Sequence, residues 1–281
     1  MRMNLRSARA VYNSKRVRRL RLCAPQASRK AASGKDMRLL SYNIHKGIGG
    51  SDRRYRLERV IRVIEELRPD VICLQEVAHQ TRRSRYHDQA ALLTKHFALD
   101  AHLFQMTVHW RVGGYGNLLL SRWPIRRKHH VSLMLGRRKP RGAQLAVIAT
   151  PQGLLHLVHW HLGLSEGERH WQARHILHHH LFRESAHLPT LVIGDCNDWR
   201  NTLAPNAFSE HAFTHITSPP SHFRSFPAFL AMMSLDKAFC RGGVEVRHAH
   251  LPRHKLARRA SDHLPLVIDF HLNGVNGGET Q

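Results

Sequence analysis

Acidic residues are few in this chain: 20 Asp and Glu against 44 Lys and Arg leave a formal net charge of +24, with 25 histidines counted as neutral. A field so one-sided works against cationic partners. It draws polyanions: nucleic acid, anionic lipid surfaces or phosphorylated small molecules. Cysteine is scarce as well. Cys23, Cys73, Cys196 and Cys240 lie far apart with no CxxC spacing, which argues against a zinc knuckle and a disulfide framework and predicts a reducing, cytoplasmic setting. No apolar run approaches the ~18 residues that span a bilayer, and no apolar segment of a secretory signal follows the basic N-terminus. A GxxxxGK[ST] loop, an HExxH pair and a Ser-centred nucleophile elbow are also missing, so those nucleotide-cradling, zincin and acyl-transfer signatures do not apply.

What is present is ordinary globular material. Of 281 residues, 42% are hydrophobic and 23% charged, enough for a sizeable core in one large domain. Residues 1–35 carry eleven Lys and Arg and no acid, and without them the net charge falls to +13. Dense like charge without an apolar period reads as a disordered basic arm. It is either an anchor for nucleic acid or for a peripheral membrane contact, or a solvated extension. Folding is expected over 36–272, with a flexible 273–281. Eight apolar runs read as strands: "MRLLSYNI" from Met37, "DVICLQEV" ending near Glu76, then 117–122, 143–150, 154–162, 189–195, 234–240 and 264–270. Ser51 or Asp52 is expected to cap a helix on Leu57, Val60, Ile61, Ile64 and Leu67 that Pro69 closes. A second helix, rich in His and Arg, is expected over 165–187. Strands in such excess over helices make a mixed-sheet protein, not an alternating βαβ chain.

Polar groups at the ends of apolar strands are what a catalytic site on a rigid sheet needs. Asn43, Glu76, His161, the trio Asp195–Asn197–Asp198 and the pair Asp262–His263 all fall at such ends, and Asp236 lies inside a short strand where a charge needs a partner. Singly, each has a bland explanation: Glu76 an exposed strand end, "GDCND" a polar turn, "SDH" a cap before Pro265. Together they form a repertoire of carboxylate, amide and imidazole, which suits an oxygen-ligated Mg²⁺ or Mn²⁺ acting on phosphate with water as nucleophile. The His178–His179–His180 run, with His175 one turn earlier, has no Cys or carboxylate at ligand spacing and reads as a solvated helix face. Of His159 and His161, only His161 is taken as a site residue, and Arg169 and Gln172 are expected to pin the start of the second helix. Arg224, in "FRSFP", is either a bidentate phosphate clamp or a surface arginine.

The motifs "SYNIHKG", "DVICLQEV", "GNLLLSRWPI", "HLGLSEGERHWQ", "LVIGDCNDW", "LDKAF" and "SDHLPL", in this order over roughly 37–272, resemble the endonuclease/exonuclease/phosphatase superfamily. Among its subfamilies they are most similar to the small bacterial YbhP-type proteins. The resemblance implies a DNase I-like α+β fold: a four-layer αββα sandwich of two packed mixed β-sheets flanked by helices. It implies a metal site of Asn43, Glu76 and Asp262. Asp195 and Asn197 would orient water and bond phosphate oxygens, while His263, held by Asp236, would act on the nucleophile or the developing charge. His161 would donate to the phosphoryl group from the other side, and Asn117 would reach the substrate. The implied activity is a Mg²⁺- or Mn²⁺-dependent phosphodiesterase on nucleic acid or anionic phospholipid. A phosphomonoesterase on a small phosphorylated metabolite or inositol phosphate is the alternative, and a non-catalytic polyanion-binding module is the alternative of another class. Trp110, Trp123, Trp171 and Trp199 show no basic–aromatic interleave of a nucleic-acid groove. Three departures stand out: Cys196 replaces an aromatic residue, Lys237 and Phe239 stand where relatives carry Arg and Tyr, and the arm has no counterpart. Alternation should turn Cys196 away from Asp195 and Asn197, making it a packing change.

Deleting residues 1–35 should weaken binding to duplex DNA and anionic vesicles and flatten its salt dependence, since each phosphate that is no longer neutralised takes about 0.9 off the slope on DNA. Turnover of a small soluble ester should stay as it was. Unchanged polyanion affinity in a salt titration would make the arm an extension only.

Overall fold

The structure is a computed structural model and describes residues 36–273; the expectations for the arm and for 274–281 fall outside the described residues. Twelve strands are present among them: β1 (Met37–Asn43), β2 (Val71–His79), β3 (Ala101–His109), β4 (Gly114–Ser121), β5 (Ile125–Ser132), β6 (Gly142–Thr150), β7 (Gly153–His161), β8 (Thr190–Asp195), β9 (Thr214–His215), β10 (Asp236–Arg241), β11 (Val244–His250) and β12 (Leu266–Leu272). They form two six-stranded mixed sheets, ordered β11-β12-β1-β2-β4-β3 and β5-β6-β7-β8-β10-β9. The eight strands read from the sequence are the inner four of each sheet. The four it did not show, β3, β5, β9 and β11, are the sheet edges.

Helices α1 (Leu57–Leu67), α2 (Gln89–Phe97), α3 (Glu166–His178), α4 (His180–Arg183) and α5 (Lys255–Ala260) cover the outer faces. Along α1, Leu57, Val60, Ile61 and Ile64 are buried in the main core with β1, β2 and β12, each worth roughly 1.5–3 kcal/mol of transfer free energy. A second cluster packs Ala173, Ile176 and Leu177 of α3 on the outer face of the second sheet, over Val158, Trp160 and Val192. The layers are therefore αββα. Two local expectations need correction. Helix α1 starts at Leu57 behind Arg56, which provides no side-chain cap; Asp52 instead accepts from the Arg54 amide (3.1 Å) and pairs with Arg59 (2.7 Å). The second helix does not run to 187: His179 is extended, with ψ 136°, and separates α3 from α4.

The space between the sheets is not wholly apolar. His159 of β7 is buried there, its Nε2 2.7 Å from the Gln75 amide and its Nδ1 2.8 Å from Gln144 Oε1. Gln144 in turn donates to the carbonyls of Leu103 and Asn117 (2.8 and 3.3 Å). Burial pushes the His159 imidazole down to about 3 and, with Arg241 and Arg127 nearby, the His156 imidazole down to about 4. Below pH 6.5 the unfolded chain takes up protons that these two groups refuse while folded. Stability should therefore fall with acidification from 6.5 to about 4, by roughly 2 kcal/mol per histidine at pH 5. Urea melts at pH 7 and pH 5 check this, and His159→Gln should reduce the difference between them.

Candidate active site

Six of the ten residues given a role from the sequence meet in one polar cluster. Register sets their spacing: His161 pairs with Asp195 across β7 and β8, and Asp195 with Asp236 across β8 and β10. Directly paired residues share a face, so the three side chains stand in a row. Asn43, at the end of β1 in the facing sheet, donates its Nδ2 to Asp195 Oδ2 at 2.9 Å. The Asn197 amide donates to Asp195 Oδ1 at 2.9 Å, and its side chain donates to the Leu162 carbonyl at 2.9 Å. Asp198, the third member of that trio, faces away: buried, it accepts from the Thr202 and Leu203 amides (3.1 and 3.0 Å).

The two imidazoles are in different states. Arg141 Nη1 lies 3.2 Å from His161 Nδ1. A guanidinium only donates, so Nδ1 accepts and the His161 proton sits on Nε2, 3.3 Å from Asp195 Oδ2. Burial, with Arg141 adding to it, holds His161 well below its ordinary range, hence neutral. His263 packs against the Phe226 ring, centroids 4.9 Å apart. Its Nδ1 is 2.8 Å from Asp236 Oδ2 and its Nε2 3.7 Å from Asp195 Oδ2. Burial opposes its charge, but Asp236 and Asp195 outweigh burial and lift His263 to about 10. Burial also raises Asp195, to about 6, against the pull of His263.

Glu76 and Asp262 both act electrostatically on His45, on the turn after β1. Where β2 meets β4 the pairing jumps from Leu74↔Leu118 to Val77↔Gly116. Gln75 and Glu76 thus oppose Asn117 alone, and the bulge turns Glu76 out of the alternation. Burial would raise the Glu76 carboxyl; Lys46, which pairs with it, and His45 hold it below its ordinary value. Asp262 Oδ2 lies 3.4 Å from His45 Nδ1. A Cβ on Gly50 would come within 2.6 Å of the Asp262 Cα, so only glycine lets this loop pass. Asn43 Oδ1 accepts from the His45 amide at 3.0 Å. Asn43, Glu76 and Asp262 offer amide and carboxylate oxygens, the donor set of a hard divalent ion, and Lys46 supplies at Glu76 the positive charge such an ion would bring. Asp195, Asp236 and His263 also bring ligand atoms within 4.8 Å of one another. Within that trio His263 Nδ1 is already engaged by Asp236 Oδ2 at 2.8 Å.

The remaining two residues lie apart from the cluster. Asn117 is buried opposite the bulge and donates to the Gly142 carbonyl of the facing sheet at 3.0 Å. Arg224 is exposed on the loop before β10, and its carbonyl accepts from Arg253 at 3.4 Å. Cys196 is buried in the second core cluster, as alternation predicts. Lys237 is buried and donates to Asn201 Oδ1 (2.6 Å) and the Ser234 carbonyl (2.8 Å), while Phe239 stacks on Phe208 at 3.8 Å. Arg169 donates to the Leu164 carbonyl at 2.7 Å and Gln172 accepts from the Gly163 amide at 2.8 Å, pinning the start of α3. Three contributors are not among the site residues taken from the sequence: His45 and Lys46, which lie within "SYNIHKG", and Arg141. The first two are one and two positions past the Ile44 that ends "SYNI"; Arg141 is one cation among many.

A family model described as the Endonuclease/Exonuclease/phosphatase family matches residues 40–263. This chain belongs to that family, which generally hydrolyses phosphoesters. It is similar to the uncharacterized protein YbhP of Escherichia coli (strain K12), 29% identical over 252 residues that cover 84% of this chain and 96% of that protein. An endonuclease/exonuclease/phosphatase from Beutenbergia cavernae has the same fold, with a TM-score of 0.72 at 22% identity over 85% of this chain and 72% of that one. A mannosyl-6-phosphatase from Bacteroides thetaiotaomicron is also similar in fold, with a TM-score of 0.64 at 16% identity over 84% of this chain and 100% of that one.

The Asp236–His263 pair is open to direct measurement. In a titration followed by imidazole NMR, His263 should keep its proton past pH 8, and Asp236→Asn should bring its midpoint down by at least two units. A midpoint near 6.5 in the unmodified protein would contradict the charged state.

Proposed function

We propose that this protein is a divalent-metal-dependent phosphodiesterase that uses water as nucleophile. The observation that carries the reading is the Asp195 carboxylate, set in a row between His161 and Asp236 and braced by Asn43 from the opposite sheet. With its carboxyl raised to about 6, Asp195 is matched to accept a proton from water near neutral pH. Asn197 holds that carboxylate through its amide. His263, kept charged by Asp236 and too weak an acid to lose its proton readily, stabilises the charge that builds on the phosphoryl oxygens. His161 presents Nε2–H from the other side, its tautomer fixed by Arg141. Asn43, Glu76 and Asp262 would hold Mg²⁺ or Mn²⁺, which when bound supplies Lewis-acid stabilisation of phosphate charge.

A phosphomonoesterase reading has support in the name of one structural neighbour, the mannosyl-6-phosphatase. A panel of purified protein with Mg²⁺ or Mn²⁺ on bis-nitrophenyl phosphate, nitrophenyl phosphate, plasmid, single-stranded DNA, RNA and anionic phospholipid separates the readings. Turnover of diesters, abolished by EDTA, is the expected result. Glu76→Ala should lower it at least a hundredfold with the circular dichroism spectrum unchanged. Activity within tenfold of the parent at saturating Mg²⁺ would remove Glu76 from the metal site, and an inert panel would leave a polyanion-binding module.

A further inference from the structure

The large apolar side chains that the fold leaves exposed are gathered at one end. Of eleven among the described residues, ten stand on loops at the end of the sandwich that carries the catalytic cluster; Leu154, on the β6–β7 hairpin, is the exception. Strand pairing establishes the shared end. His79 pairs with Gly114, His109 with Gly114, Gly142 with His161, and Asp195 with Asp236. The loops after β2, β3, β5, β7 and β8, and the one before β10, therefore all emerge beside the cluster. Trp110, Met134, Leu164 and Trp199 each come from a different one of them.

The densest group is the loop before β10. Its two ends bond each other, Met233 N to the Phe226 carbonyl (2.7 Å) and Phe226 N to the Met233 carbonyl (3.0 Å). Ala228 N donates to the Asp262 carbonyl at 2.7 Å, and Ala228 and Ala231 are buried. The loop is thus fixed from below, and it holds Leu230 and Met232 outward, 59% and 62% exposed. Cations surround it. Arg224 is exposed, Arg253 donates to the His222 and Arg224 carbonyls, and Arg258 donates to the Phe229 carbonyl. Residues 216–235, 251–261 and 133–141 contain no acid.

Exposed aliphatic groups interleaved with cations make opposite demands on water, and an anionic bilayer meets both. Its acyl boundary takes the apolar tips and its phosphates take the cations. Nucleic acid could stack bases on Trp110 and Trp199, but the densest loop holds out the aliphatic Leu230 and Met232, with Met134 and Leu164 on the same rim, and these offer no ring for a base to stack on. We propose that the catalytic end of this protein is a docking face for anionic phospholipid membranes, with Leu230 and Met232 entering the acyl boundary and Arg224, Arg253 and Arg258 on the headgroup phosphates. Seated in this way, the cluster faces the headgroup layer, and the diester offered to it is that of a phospholipid. That last step rests on the hydrolase reading above; the docking does not.

The test is co-sedimentation of the full chain with vesicles of phosphatidylcholine alone and of phosphatidylcholine mixed with phosphatidylglycerol. The parent protein should bind the mixed vesicles. The Leu230→Ser/Met232→Ser double variant should partition at least tenfold more weakly, the least expected from losing two inserted aliphatic side chains. Leu164→Ser, on another loop of the same rim, should fall in the same direction. The basic arm is common to all three proteins, so the differences report the rim. Equal binding by parent and double variant would overturn the proposal, leaving attachment by charge alone. Absence of binding by the parent would overturn it too, as would a variant that loses duplex-DNA affinity with vesicle binding unchanged. Docking as expected without cleavage of any phospholipid would keep the face and remove the headgroup diester as substrate.

Discussion

A buried carboxylate must be surrounded by donors or be protonated, and Asp195 is buried between two sheets. Its partners come from both: Asn43 from the end of β1 and the Asn197 amide from the loop beyond β8 donate to it, and the His161 and His263 rings lie 3.3 and 3.7 Å from it. The cluster can form only if both sheets are complete and in register. His161, Asp195 and Asp236 share a row because three strands pair in one register, and a slip of one residue would send each to the other face. Asn43 meets them only because the sheets are packed at a fixed separation. The Gln75–His159 bond, the Gln144 amide on the Leu103 and Asn117 carbonyls and the Asn117 amide on the Gly142 carbonyl join the sheets and constrain that separation.

Charge at the site is balanced in two adjoining sets. Asp195 and Asp236 enclose one cation, His263. Glu76 is matched by Lys46, while Asp262 lies 3.4 Å from His45, whose charge burial opposes; both partners are on the turn after β1. Asn43 belongs to both sets, giving its amide N–H to Asp195 and accepting from the His45 amide through its oxygen. The excess of Lys and Arg over the whole chain does little of this. It acts outside the cluster, where the catalytic rim is cationic and nearly free of acids, and where a phosphate-bearing surface would meet it first.

How much of this was legible in the sequence follows from where each residue lies. The eight inner strands are covered on both sides along the sheet and on both faces, so their sequences are apolar runs such as "PTLVIGD". The four edges must discourage pairing with other chains, and they are written accordingly: β5 is Ile125–Ser132, "IRRKHHVS", which no apolar count would read as a strand. The cluster was readable because its members sit at the ends of inner strands, where an apolar run stops at Asn43, Glu76, His161 or Asp195. Lys46 and Arg141 were not, since a cation in a loop of a chain this basic carries no mark of its role. Asn117 shows the converse. It ends no strand, and its buried amide serves the contact between sheets.

The backbone at the site is itself unusual. His45, Lys46, Glu76 and Asn197 have φ of 44°, 60°, 57° and 49°, a region that costs L-residues roughly 1–2 kcal/mol. At Arg68 and Ala98 the same conformation closes α1 and α2, which is its common structural use. No helix ends at Glu76 or Asn197. Strict alternation along β2 would put Gln75 and Glu76 on opposite faces. Gln75 points between the sheets to His159, so an unbulged Glu76 would lie on the outer face, beneath the helices. The left-handed residue and the bulge release it to meet Lys46. At Asn197 the turn brings the amide back onto Asp195 while the side chain bonds the Leu162 carbonyl, tying the ends of β7 and β8 together. The strain is therefore concentrated where side chains must be aimed away from the directions a regular sheet would give them.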